Sequence, residues 1–141
     1  MPLKVAFPDA NIPIVEMSVD ANLDPALHLA AGRALAALRD EGVLIVATGM
    51  SFHNMRGYND PRFTGPSEQF DAWLTESLAL EGTDRDERLK SWEQAPAARL
   101  AHPDAEHLMP VMIAAGAAAG PAEKIYFEHV LKTAISGFRF N

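Results

Sequence analysis

The segment Val43-Leu44-Ile45-Val46-Ala47 is apolar at five consecutive positions, and it constrains the fold more than any other feature of the chain. Side chains alternate between the two faces of a strand, so a strand that is apolar throughout needs cover on both sides. That is the situation of a parallel strand between layers of helices. The preceding residues support this reading. Asp24-Pro25 offers a cap and a first-turn proline, and Leu27, Ala31, Ala34, Leu35 and Leu38 recur at helical spacing until Gly42 ends the pattern. Further upstream, Ile12 to Val19 is rich in apolar and β-branched residues behind the turn cluster Pro8-Asp9-Ala10-Asn11, which predicts a strand with Pro13 at its beginning. Strand, helix, strand is a βαβ unit, and the α/β class follows.

Beyond a loop from Gly49 to Gly65, the patterns predict helices over 67–80, 84–93 and, across Pro110, 104–118. Two closing strands are predicted at 123–130 and 133–140, the second with Phe138 and Phe140 in alternation. With 141 residues, no internal repeat and no low-complexity linker, the expectation is one α/β domain over 1–141, a mixed sheet with flanking helices.

Composition narrows the chemistry. A formal charge of -7 disfavours a nucleic-acid partner, because affinity for phosphate backbones is built from clustered Lys and Arg. With no Cys there is no disulfide, thiolate metal site or thiol nucleophile, so a transition metal would have to be held by His, Asp or Glu. The opening residues carry no apolar stretch behind a basic region, which leaves the cytoplasm as the expected location. The longest near-apolar run, Leu108 to Ala119, is broken by Pro110 and Gly116 and falls short of the roughly 20 residues of a membrane helix. No G-x-S-x-G, Walker A or G-x-G-x-x-G pattern occurs.

Two clusters could carry chemistry. His53, Asn54 and Arg56 follow the apolar run, and in open α/β sheets ligands bind beyond the carboxyl ends of the strands. A loop histidine satisfied by backbone carbonyls is the plain alternative. The second cluster is His102-Pro103-Asp104-Ala105-Glu106-His107-Leu108-Met109-Pro110. His102 and His107 are five residues apart and do not share a helix face, so they are not the i, i+4 pair of a zincin. Pro110 should distort the backbone at Glu106 and His107, and such distortion can aim a ligand. Alternatively, Asp104 and Glu106 merely favour a helix N-terminus, with His107 on a solvated turn. His28, His129, Trp73, Trp92 and Phe70 read as structural, packing or surface residues.

Four segments in order, Pro8-Asp9-Ala10-Asn11-Ile12-Pro13-Ile14-Val15, the stretch from Gly32 to Ile45, His53-Asn54-Met55-Arg56, and the His102 to Pro110 cluster, resemble the DOPA 4,5-dioxygenase-like family of class III extradiol ring-cleavage dioxygenases. The resemblance implies an enzyme that opens a catechol ring beside its hydroxyls with O2 and a non-haem metal, Fe(II) or Zn(II). It implies that His53 serves as acid/base and also as a metal contact. By the same resemblance His107 is a metal ligand, Glu106 is the carboxylate that would otherwise complete the metal set, and Asn54 orients His53. No substrate-binding residue is assigned.

Family members carry two further histidines upstream of the matching region. The expectation is therefore that the chain corresponds to the C-terminal half of the catalytic subunit, with an incomplete metal site and little activity alone. It should associate either with itself or with the missing N-terminal half. A non-enzymatic oligomerisation or interaction domain derived from the same fold is the alternative. A zinc hydrolase would need a fuller ligand set than these residues offer.

Overall fold

The computed structural model describes residues 2–141, so that Met1 lies outside the described residues. After a short helix α1 (Pro2–Ala6) and an irregular segment, the Asp24 side chain accepts a hydrogen bond from the Ala26 N–H at 2.8 Å and Pro25 opens α2 (Pro25–Leu35). A 3-10 turn over Ala36–Arg39 follows, and the chain leaves it through Gly42 at φ +81°. The predicted cap and stop both lie where the sequence puts them.

Four more helices follow: α3 (Thr64–Leu78), α4 (Gly82–Lys90), α5 (Ala98–Ala101) and α6 (Met109–Ala117). Helices α2 and α6 meet backbone to backbone. A Cβ on Gly32 would stand 2.1 Å from the Ile113 carbonyl oxygen, and one on Gly116 would stand 2.2 Å from that of Leu29. In the core, Phe52, Phe70, Leu74, Leu78, Leu89, Trp92, Met109 and Met112 are buried together with Leu29 of α2. Arg85 is buried as well. Its guanidinium donates to the carbonyls of Ala115, Ala118 and Gly120, closing the C-terminal end of α6.

The chain closes with a hairpin of β1 (Ala122–Val130) and β2 (Thr133–Phe140), antiparallel, with Val130 opposite Thr133. Leu131 and Lys132 form its two-residue turn with both φ values positive, 49° and 69°. Buried Asp71 of α3 anchors the hairpin by pairing with Lys124 at 2.6 Å and accepting from the Ser136 hydroxyl, while the Ala134 N–H donates to Ser67 Oγ at 2.9 Å.

The α/β class holds, as helices packed on a sheet, but three elements differ from expectation. Neither 12–19 nor 43–47 is a strand, and among the described residues the sheet is the antiparallel pair alone. A strand exists through its ladder partners, and here β1 and β2 pair only with each other. Without partners the apolar run stays irregular: Leu44 is 71% exposed, and Val15 of the earlier segment is 95% exposed. The third difference is the helix expected over 104–118, which begins only at Met109. Pro110 thus sits in the first turn, where its missing N–H costs nothing, and residues 103–108 form a bend followed by a turn. No helix among the described residues is long and apolar enough to cross a membrane.

Candidate metal centre

Residues 50–54 run alongside 100–107, joined by four hydrogen bonds. The Met50 N–H donates to the His107 carbonyl at 2.9 Å, and the His53 N–H to that of Ala101 at 2.9 Å. The Asn54 side-chain amide donates to the Leu100 carbonyl at 2.8 Å, and His102 Nε2 lies 3.1 Å from the Ser51 carbonyl. Gly49 permits the approach, since a Cβ there would fall 2.2 Å from the His107 carbonyl oxygen.

The seam brings together His53 and His107, which lie 54 positions apart in sequence (107 minus 53). Their rings stack with centroids 3.6 Å apart and planes inclined by 27°. Glu106, on the turn ahead of α6, completes the group. One ligand atom from each of His53, Glu106 and His107 lies within 4.8 Å of the others. Had the predicted helix started at 104, Pro110 would have clashed with the carbonyl of Glu106. The turn avoids the clash and leaves both ligand candidates outside the helix.

The electrostatics leave His53 neutral near pH 7. Burial lowers its pKa most and the neighbouring His107 lowers it further, while Glu106 and Asp104 pull the other way. Glu106 Oε1 stands 3.1 Å from His107 Nδ1, but the two are not aligned for a hydrogen bond, and that buried nitrogen has no partner among the described residues. An orphaned imidazole nitrogen beside a carboxylate and a second imidazole fits a divalent transition metal. Two His and one carboxylate are the donors of a non-haem iron site, and metal–ligand bonds of about 2.0 to 2.2 Å would draw these atoms slightly closer. Of the candidate ligands, His107 is 37% and Glu106 56% exposed in their side chains, so water reaches the group.

His107 also borders a cavity of about 420 Å³ whose other walls include Leu108, Val111, Phe138 and the 43–47 run. Asn54 is buried, and its side chain engages backbone on both sides: it donates to Leu100 and its oxygen accepts from the Arg56 N–H at 3.0 Å. It holds the loop around His53, with no hydrogen bond to the ring. The Arg56 side chain is exposed.

The remaining histidines lie outside the group. His28 is buried, accepting from the Asp20 N–H at Nε2 and donating from Nδ1 to the Asp24 carbonyl, so it ties the loop before α2. His129 pairs with Glu68 on the surface at 2.8 Å. From sequence, Gly49, Ser51 and His102 have no assigned role in the site, although His102 heads the second cluster. Nothing local marks Gly49 or Ser51, whereas a histidine heading the second cluster was a signal for His102.

Comparison with known proteins bears on what this arrangement does. The model of the catalytic LigB subunit of aromatic ring-opening dioxygenase matches residues 1–138. A 4,5-DOPA dioxygenase extradiol of Beta vulgaris is 40% identical over 121 residues, covering 84% of this chain and 44% of the relative. The protein of the same name from Escherichia coli is 33% identical over 114 residues, covering 79% and 42%. Among solved structures, an uncharacterized protein, JW3007, of Escherichia coli superposes with a TM-score of 0.86 at 28% identity, over 99% of this chain and 59% of that one. The chain spans less than half the length of these two curated relatives.

Proposed function

Because the chain belongs to the family of the catalytic LigB subunit of aromatic ring-opening dioxygenase, we propose that its 141 residues act as one unit carrying the metal-holding part of an extradiol site for a catechol-type substrate. The convergence of His53, Glu106 and His107 from two separate loops carries this reading. When bound, a non-haem iron(II), or zinc(II) in its place, would supply open positions at which the catechol oxygens and O2 meet.

The residues divide the remaining work. His107 and Glu106 would hold the metal from the turn ahead of α6. His53, neutral and stacked on His107, takes the proton of a catechol hydroxyl on its ring nitrogen and later returns it. Asn54 and the Ala101 carbonyl keep the His53 backbone in register with the second loop. The apolar walls of the cavity beside His107 suit an aromatic ring.

A second observation concerns partners. Ile14, Val15, Val43 and Leu44 are exposed apolar residues on unpaired segments, which supports association with another polypeptide surface, either a second copy of the chain or the remaining part of a full-length dioxygenase.

Cobalt(II) is a spectroscopic stand-in for the metal, and the experiment is addition of catechol to the cobalt-loaded chain. The visible cobalt bands should shift with catechol in the wild type and stay unchanged in His53→Ala and His107→Ala. A wild-type spectrum indifferent to catechol would remove the substrate class.

A further inference from the structure

His102 takes no place among the three convergent groups, yet its ring is fully buried beneath them. We propose that His102 is a positioning residue: its Nε2–H holds the Ser51 carbonyl and thereby fixes His53 against His107. The inference rests on the proposed metal centre for the purpose of that placement, while the placement itself stands on the hydrogen bonds.

Ser51 is gripped from two directions. From the loop ahead of α6, His102 Nε2 reaches its carbonyl oxygen at 3.1 Å. From the hairpin, the Ser136 N–H donates to its hydroxyl at 2.8 Å, and the Ser136 hydroxyl in turn donates to Asp71, the buried partner of Lys124. Two residues beyond Ser51 stands His53. Of the two grips on Ser51, that of His102 joins it to the segment bearing Glu106 and His107, alongside the Met50, His53 and Asn54 bonds of the seam.

The surroundings specify one form of the ring. Phe70 and Trp92 meet it edge to face at 5.1 and 6.3 Å, and Nδ1 has no partner among the described residues. Only the tautomer with its proton on Nε2 can donate to Ser51; the other would set a nitrogen lone pair against the carbonyl oxygen. An apolar replacement would fill the pocket and leave the Ser51 carbonyl without this donor, so the loop would lose its hold at one point while the core stayed packed.

Two measurements on metal-free protein test the role, so they decide it independently of whether cobalt or catechol binds. Long-range nitrogen–proton NMR on the wild type should find His102 protonated at Nε2 and bare at Nδ1; the reverse tautomer overturns the proposal, whatever the variants do. The second readout is the nuclear Overhauser contact between the His53 and His107 rings, with folding checked by circular dichroism. The contact should be lost in His102→Leu and retained in His102→Gln, whose amide restores a donor toward Ser51. A contact that survives in His102→Leu, or is lost equally in both variants, overturns it.

Discussion

Burial in an aromatic pocket holds the His102 pKa down at about 4, against 6.5 for a free imidazole, with its bond to Ser51 acting in the opposite direction. Between these values the unfolded chain binds the proton that the folded chain refuses. Stability from this group is therefore complete above pH 6.5 and drains away as the pH falls toward 4, by on the order of 3 kcal/mol. Urea unfolding of the metal-free chain between pH 7.5 and 4 should show that fall, and His102→Leu should flatten it; equal slopes in the two proteins would place the pH dependence elsewhere. Gly49 makes a second prediction at this scale. Gly49→Ala drives a methyl group into the His107 carbonyl and should cost roughly 1–3 kcal/mol while weakening cobalt binding. Retention of both stability and affinity would show that the two loops are not held where the structure puts them. His53 and His107 were legible as single residues, since histidines are few in this chain and cysteines absent. That Glu106 would join both at once was not, because it depends on a turn where periodicity alone suggests a helix.

Elements whose signals are local matched the sequence best. Asp24-Pro25 and Gly42 bound α2 with its 3-10 extension, and the hairpin strands fall within a residue of the predicted ranges. The run 43–47 shows the limit of that approach. Its composition says that a strand here would be buried on both faces, but burial is a property of neighbours, and among the described residues none supplies a ladder. The close crossing of α2 and α6 was equally hidden, because Gly32 and Gly116 lie 84 positions apart (116 minus 32) and neither marks a turn. The hairpin offers a test of local strain. Leu131 and Lys132 hold left-handed backbone angles that disfavour residues with a Cβ, so replacing them with Asn and Gly should stabilise the protein by about 1 kcal/mol. An unchanged melting temperature would mean that the turn relaxes to another geometry in solution.

At the scale of the whole molecule, two loops joined by a four-bond seam bring together three side chains able to hold a metal, and exposed apolar segments accompany a packed core. Those segments should make the isolated chain self-associate at micromolar concentration, which sedimentation velocity reads directly; a monodisperse monomer would contradict it. Water access to Glu106 and His107 further predicts that the isolated chain, loaded anaerobically with iron(II) and exposed to air, opens DOPA or protocatechuate slowly at best. The yellow ring-opened product reports this, and robust turnover abolished by His53→Ala would show that association completes the site. Most direct is the cobalt(II) titration of the metal-free chain, followed by its visible spectrum and by metal content after gel filtration. The structure predicts one cobalt per chain, with binding weakened at least tenfold in each of His53→Ala, Glu106→Gln and His107→Ala, the scale on which loss of a ligand or its support acts. Stoichiometric binding that persists unweakened in the His53→Ala, His107→Ala double variant would show that the metal sits elsewhere and that this convergence of side chains is not the site.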